Sequence, residues 1–296
     1  MKKTVFTGAA VAIITPMLPD GSIHYEELGR IIEDQIAGGT DAIVICGTTG
    51  EASTMPDEEH LDCIEYAVKK VAGRIPVVAG TGSNDTNHAI KLSQEAVRRG
   101  ADALLQVTPY YNKTSQSGLV RHFTAIADAV DAPIILYNVP SRTGVNITPA
   151  TCKILAQHPR IVAIKEASGN IAQVAQIAHL CGDELAIYSG NDDQIVPLLA
   201  LGGKGVISVL SNVAPRQAHD ICRLWFEGNT QASLQMQLDM MDLCGALFCD
   251  VNPIPVKAAM NMLGYQAGEC RLPLDRLSPE HMDTLRTALK KAGLLA

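Results

Sequence analysis

The stretch "IVAIKEASGN" (Ile161–Asn170) sets a lysine directly behind four apolar residues. Such an unbroken apolar run predicts a strand covered on both faces, and a lysine delivered at its end into a covered site carries a desolvation cost as a cation. Burial lowers its pKa and frees an amine near neutral pH. That amine can attack a carbonyl to form a Schiff base, which withdraws electrons from the adjacent carbon. The competing reading is a structural ion pair, with Glu166 or another acid. Neighbours on a strand point to opposite faces, which weakens the pairing with Glu166.

Other chemistry-bearing residues follow similar apolar runs. Tyr110 and Tyr111 lie in "TPYYN" and Tyr137 in "YNVPSRTG". A phenol can pass protons in a shielded site, or it can close the top of a fold with its hydroxyl in water. Arg142, in the loop after Tyr137, can grip a carboxylate through two parallel hydrogen bonds or make an ordinary surface ion pair. In "GTTGE" (Gly47–Glu51) glycines flank Thr48 and Thr49. Main-chain N–H groups and hydroxyls can converge there on a carboxylate or phosphate, or the turn can merely lead into the next helix. "SGNDD" (Ser189–Asp193) is a further polar cluster of this kind.

What positions these groups is a rhythm of strands and helices. Apolar runs rich in Val and Ile recur at Ala10–Thr15, Ala42–Cys46, Val77–Gly80, Ala103–Thr108, Ile134–Asn138, Ile161–Lys165, Ala186–Ser189 and Gly205–Leu210. Amphipathic segments lie between them, such as "TMPDEEHLDCIEYAVKKVAG", where Thr54 or Asp57 can cap, acids fill the first turn and lysines the last. Eight such alternations predict an α/β chain folded as a (β/α)8 TIM barrel rather than an open sheet, and no GxGxxG follows the first strand. Residues 1–225 are expected to form the barrel with the active site, and 226–296 a C-terminal helical extension. In a barrel of this kind the site lies at the C-terminal ends of the strands, where all the motifs above fall.

Composition narrows the function further. A net charge of -7 with no basic stripe excludes a general nucleic-acid binder. No apolar run is long enough to span a membrane. The N-terminal "MKKTVFTGAAVAIITPMLPDG" superficially imitates a secretory signal, but early prolines and Asp20-Gly21 punctuate it and a first strand fits it better. The eight cysteines form no CxxC pair and no zinc-like cluster with histidine, as expected of reduced thiols in a cytoplasmic protein.

In their order and spacing, "GTTGE", "TPYYNK", "YNVPSRTG", "IKEASGN" and "GGKGVISV" resemble the 4-hydroxy-tetrahydrodipicolinate synthases (dihydrodipicolinate synthases) of the pyruvate-dependent class I aldolase superfamily. The resemblance runs from about Gly8 through the helical tail. It implies condensation of pyruvate with L-aspartate 4-semialdehyde, without a metal or organic cofactor, in a homotetramer built as a dimer of dimers. Lys165 matches the Schiff-base lysine, Tyr137 the proton-shuttling tyrosine, and Thr48 the hydroxyl linking it to a second tyrosine, matched by Tyr111, which reaches into a neighbouring subunit's site. Thr49 matches a contact to the pyruvate carboxylate and Arg142 the arginine that recognises the aldehyde's carboxylate. Gly190 and Ile207 match strand-end backbone positions lining the pocket.

The resemblance also implies an effector site, at Ser53, Asp57, His60, Asn84, His88 and Tyr110, and here the pattern departs. Lysine-inhibited members carry a histidine pair after "GTTGE" and a glutamate in the helix after "GTG"; this chain has Asp57 with His60, and His88. Weak or absent lysine inhibition is the expectation. A sugar-acid aldolase of the same superfamily is the nearest rival, disfavoured by Arg142 combined with the tandem tyrosines. A pyridoxal phosphate barrel would need a phosphate cup near strands seven and eight, and "GGKG" reads instead as a helix-stop turn before strand eight. A barrel that binds a keto acid without turnover stays open.

Overall fold

The computed structural model describes residues 2–296. Eight parallel strands close into a barrel in sequence order. They are β1 (Gly8–Ala12), β2 (Ala42–Ile45), β3 (Val77–Gly80), β4 (Ala103–Val107), β5 (Ile134–Asn138), β6 (Ile161–Glu166), β7 (Ala186–Ser189) and β8 (Gly205–Ser208). Each coincides with an expected run, and the ends differ where side chains take over the pairing. Beyond Ala12, for example, the Ile14 N–H donates to Asn212 Oδ1 at 3.0 Å instead of to a strand.

Helices between the strands form the outer layer, and an apolar core fills the space between layers with side chains such as Ile32, Ile43, Ile64, Leu104 and Phe123. A second, inner core fills the barrel itself, with Ala10, Val44, Val78, Ile135, Ala163, Tyr188 and Ile207. The two cores are the physical cause of the unbroken apolar runs, since every strand is covered on both faces. Closure needs glycine at the β1–β8 seam. Gly205 (φ +148°) pairs with Gly8, and a Cβ on it would come within 1.8 Å of the Gly8 carbonyl oxygen. The last glycine of "GGKG" therefore serves the seam, while Gly202 follows the helix Ile195–Ala200 as a turn.

The second barrel helix carries acids in its first turn and lysines in its last as expected, but starts differently. Neither Thr54 nor Asp57 caps the second barrel helix: Thr54 ends a one-turn 3-10 helix, and Asp57 is already the first residue of Asp57–Val71, behind Pro56. The helix Pro215–Phe226 packs Ala218, Ile221 and Cys222 on Ala9 and Val206, so it completes the barrel's outer layer. In the C-terminal extension, "TQASLQMQLDMMDLCGALF" forms two helices, Thr230–Asp239 and Met241–Ala246, broken at Met240. Ile254–Met262 and Pro279–Lys291 follow. No helix among the described residues is long and apolar enough to cross a membrane.

Candidate active site

Strand register puts the reactive groups side by side. Tyr137 on β5 pairs with Lys165 on β6, and Lys165 with Tyr188 on β7. Lys165 is only 5% exposed, and its Nζ lies 4.5 Å from the centre of the Tyr137 ring. Burial lowers the Lys165 pKa to about 8; Asp192 opposes the shift and Arg142 adds to it. Glu166, the alternative ion-pair partner, faces away. Its carboxylate accepts hydrogen bonds from the Asn138 and Gln173 amides and the Ser168 N–H, at 2.9, 3.2 and 2.7 Å. Gly190 leaves room beside Lys165: a Cβ there would meet the Ala167 Cβ at 2.6 Å and the Lys165 Cε at 3.1 Å.

Lys165 opens on a cavity of about 230 Å³ at the C-terminal mouth of the barrel, lined also by Thr48, Thr49, Tyr137, Arg142 and Gly190. The loop carrying the two threonines is bracketed by left-handed residues, Cys46 (φ 54°) and Glu51 (φ 59°), neither a glycine. Such strain persists only where surroundings over-determine it. Arg142 sits in the short helix Pro140–Thr143, and its Nη2 donates to the Asn252 carbonyl oxygen at 3.2 Å. The Tyr137 phenol is pushed up by burial, against opposing effects of Arg142 and of the Thr48 hydroxyl. It stays protonated at neutral pH and can give or relay a proton beside a nucleophilic amine. An amine, a phenol, a hydroxyl and a guanidinium around one small cavity suit a keto acid attacked at its carbonyl.

Two expected residues stand elsewhere in the single chain. Tyr111 is 92% exposed in a left-handed conformation (φ 68°), outside this cavity. Ile207 is fully buried in the inner core at the register of Ala10. Of the effector set, Ser53, Asp57, His60, His88 and Tyr110 line a separate cavity of about 430 Å³ that shares the Thr48, Tyr137 and Arg142 wall. Asn84 lines a different surface cleft. His88 Nε2 is 2.9 Å from Asp57 Oδ1, its Nδ1 is 3.0 Å from Ser83 Oγ, and His60 Nε2 lies 2.8 Å from the Gly80 carbonyl oxygen. Burial lowers the His60 pKa.

Three features escaped the sequence reading. Asp192, in the "SGNDD" cluster, is buried, with Oδ2 accepting from the Val209 and Leu210 N–H groups at 3.0 and 2.9 Å. Asn252, ahead of the helix Ile254–Met262, lines the Lys165 cavity and donates from Nδ2 to Thr49 Oγ1 at 3.0 Å. Lys257, 1% exposed in that helix, bonds Glu51 Oε1 and the Glu269 carbonyl oxygen, each at 2.8 Å. A lysine inside the apolar "IPVKAAM" was the one sequence signal for this connection.

A family model described as the dihydrodipicolinate synthetase family matches residues 5–292. The 4-hydroxy-tetrahydrodipicolinate synthase of Acetivibrio thermocellus is 55% identical over 295 residues, covering 100% of both chains. That of Lachnoclostridium phytofermentans is 55% identical over 98% of this chain and 99% of its own. Among solved structures, the dihydrodipicolinate synthase of Aquifex aeolicus superposes with a TM-score of 0.95 at 47% identity, covering 98% of this chain and 99% of that one. The chloride-inhibited enzyme of Acinetobacter baumannii, solved with pyruvate, gives 0.96 at 43% identity over 99% and 100%. Likeness at this level spans the barrel, the Lys165 cavity and the C-terminal helices that meet it, and on that extent the chain belongs to the dihydrodipicolinate synthetase family.

Proposed function

We propose that the cavity around Lys165 condenses pyruvate with L-aspartate 4-semialdehyde to give 4-hydroxy-tetrahydrodipicolinate, the committed step of diaminopimelate and lysine biosynthesis. The observation that carries the reading is a buried amine, lowered to about pKa 8, facing Tyr137 in a cavity that also holds Thr49 and Arg142. The free Lys165 amine adds to the pyruvate ketone, and loss of water leaves a protonated imine. That imine is the electron sink: a methyl proton leaves, and the resulting enamine carbon attacks the aldehyde carbon while the aldehyde oxygen takes up a proton. The amine of the added substrate then displaces Lys165, closing the ring and freeing the enzyme. Tyr137, relayed through Thr48, supplies and removes protons; Thr49 holds the pyruvate carboxylate and Arg142 that of the semialdehyde.

The relay ends at Thr48 in a single chain. Tyr111, exposed and held in a strained conformation, completes it from a second copy, in a tetramer built from two tight dimers. The pathway step fits the cytoplasm.

Pyruvate followed by borohydride is expected to leave a covalent adduct on Lys165 by mass spectrometry; an unmodified Lys165 sinks both mechanism and function. Turnover is expected with aspartate semialdehyde and not with sugar aldehydes, the reverse result moving the chain to a sugar-acid aldolase. Lysine is expected to inhibit weakly or not at all. The Asp57 carboxylate is engaged by His88, which stands where lysine-inhibited members carry a glutamate. An inhibition constant below about a millimolar, corresponding to binding stronger than about 4 kcal/mol, would overturn that expectation.

A further inference from the structure

We propose that Asn252, from outside the barrel, is a positioning residue that aims the Thr49 hydroxyl proton at the carboxylate of the bound keto acid. The proposal rests on the reading of the Lys165 cavity given above. A threonine hydroxyl has one proton to donate and two lone pairs to accept with. At Thr49 the Asn252 Nδ2 donates to Oγ1 at 3.0 Å, occupying an acceptor site. No protein acceptor among the described residues takes the Thr49 proton in return, so it is free for a ligand in the cavity that both residues line.

The orientation of the amide comes at the expense of its other end. Asn252 is 5% exposed, and its Oδ1 is buried with no protein partner among the described residues. A buried acceptor left unmatched is unfavourable. Turning the amide over would match that oxygen to the Thr49 proton and withdraw the proton from the ligand. The main chain that carries the amide is tied down. The Asn252 main-chain carbonyl oxygen accepts from Arg142 Nη2 at 3.2 Å, and five residues on Lys257 is bonded to Glu51, two residues beyond Thr49. One residue of the C-terminal segment thereby touches both groups that face carboxylates.

The same geometry separates the side chain's role from that of the main chain. The contact to Arg142 uses the backbone and survives side-chain replacement, so substitution isolates the effect on Thr49. Asn252→Ala is expected to raise KM for pyruvate about tenfold while kcat stays within about threefold, as for loss of a hydrogen bond that orients a donor to a charged ligand. Asn252→Asp, isosteric with the native residue, is expected to raise it further, to about a hundredfold, because a carboxylate accepts the Thr49 proton and places negative charge beside the ligand's own.

The decisive measurement is a double-mutant cycle. In a Thr49→Val background, Asn252→Ala is expected to change KM by less than about twofold, because its effect runs through the missing hydroxyl. Independent, multiplying effects in the cycle overturn the proposal. So does Asn252→Asp that binds pyruvate as well as Asn252→Ala does, or a loss confined to kcat. Thermal melts of each variant check that the fold is intact. If the unmodified protein forms no borohydride adduct with pyruvate, the reading of the cavity fails instead, and the two failures are told apart.

Discussion

Lys165→Met is expected to be inactive and yet more stable than the wild-type protein. Without the amine no imine forms, and activity falls on the order of 10⁴-fold or more, as when other covalent nucleophiles are removed. Stability moves the other way because the site disfavours the cation: the folded-state pKa is about 8 against an ordinary 10.5. That difference corresponds to roughly 3 kcal/mol stored against folding at pH 7. Methionine fills much of the same volume without a charge, and a gain of about 1–3 kcal/mol is expected in denaturant unfolding at fixed protein concentration. A less stable Lys165→Met would make the lysine a structural partner of Asp192, returning the ion-pair alternative in a different form.

The sign of the linkage predicts two pH profiles. Because the pKa is depressed on folding, the unfolded chain holds more protons between about pH 8 and 10.5, so the Lys165 contribution to stability improves as pH rises across that window. Below about pH 8 the folded protein bears the whole cost. The same titration supplies the nucleophile, and single-turnover formation of the pyruvate adduct is expected to accelerate with pH and level off above about 8. A rate that is flat from pH 6 to 9 would mean that the amine is already free at the lower end.

How much of this was legible in the sequence depended on where each residue is carried. Parallel strands covered on both faces must be apolar throughout, so each announces itself as an unbroken run, and a polar residue at its end stands out. Lys165 and Tyr137 were found for that reason, and the structure pairs them across β5 and β6. In "SGNDD" the rule points to a cluster but not to the buried acid, since which of Asp192 and Asp193 turns inward depends on the Asn191–Ile195 turn and on the amides of Val209 and Leu210. Asn252 and Lys257 follow no strand, and nothing local says that this segment returns to the barrel mouth. Tyr111 is a different case: it is exposed and outside the cavity, and the role proposed for it, from a second copy, has no signature in the geometry of one chain. The start of the second barrel helix was misplaced: Pro56 rather than a hydroxyl or carboxylate precedes Asp57–Val71, and no side chain caps it.

Lys257→Met is expected to cost about 3–5 kcal/mol of stability, because it leaves the Glu51 carboxylate buried without its cation. The Glu51 carboxylate is held from two sides, and a guanidinium braces its surroundings. Lys257 Nζ lies 2.8 Å from Oε1, the Arg271 N–H donates to Oε2 at 2.8 Å, and the Arg271 guanidinium ties the same region to Gly21, Thr54 and Glu59. These contacts fix a glutamate in a left-handed conformation at the end of the loop that presents Thr48 and Thr49. Losing the pair therefore loosens the loop that carries Thr48 and Thr49 as well as the fold, and kcat/KM is expected to fall by about tenfold to a hundredfold even well below the melting temperature. The compensated variant separates the two effects. Glu51→Gln with Lys257→Met removes both charges while the glutamine oxygen can still accept from Arg271, and most of the stability is expected to return. Activity is expected to recover only in part, since the amide no longer anchors the loop to the helix Ile254–Met262. A single Lys257→Met that unfolds within about 1 kcal/mol of wild type would show that Glu51 needs no cation, and that Arg271 alone holds the loop.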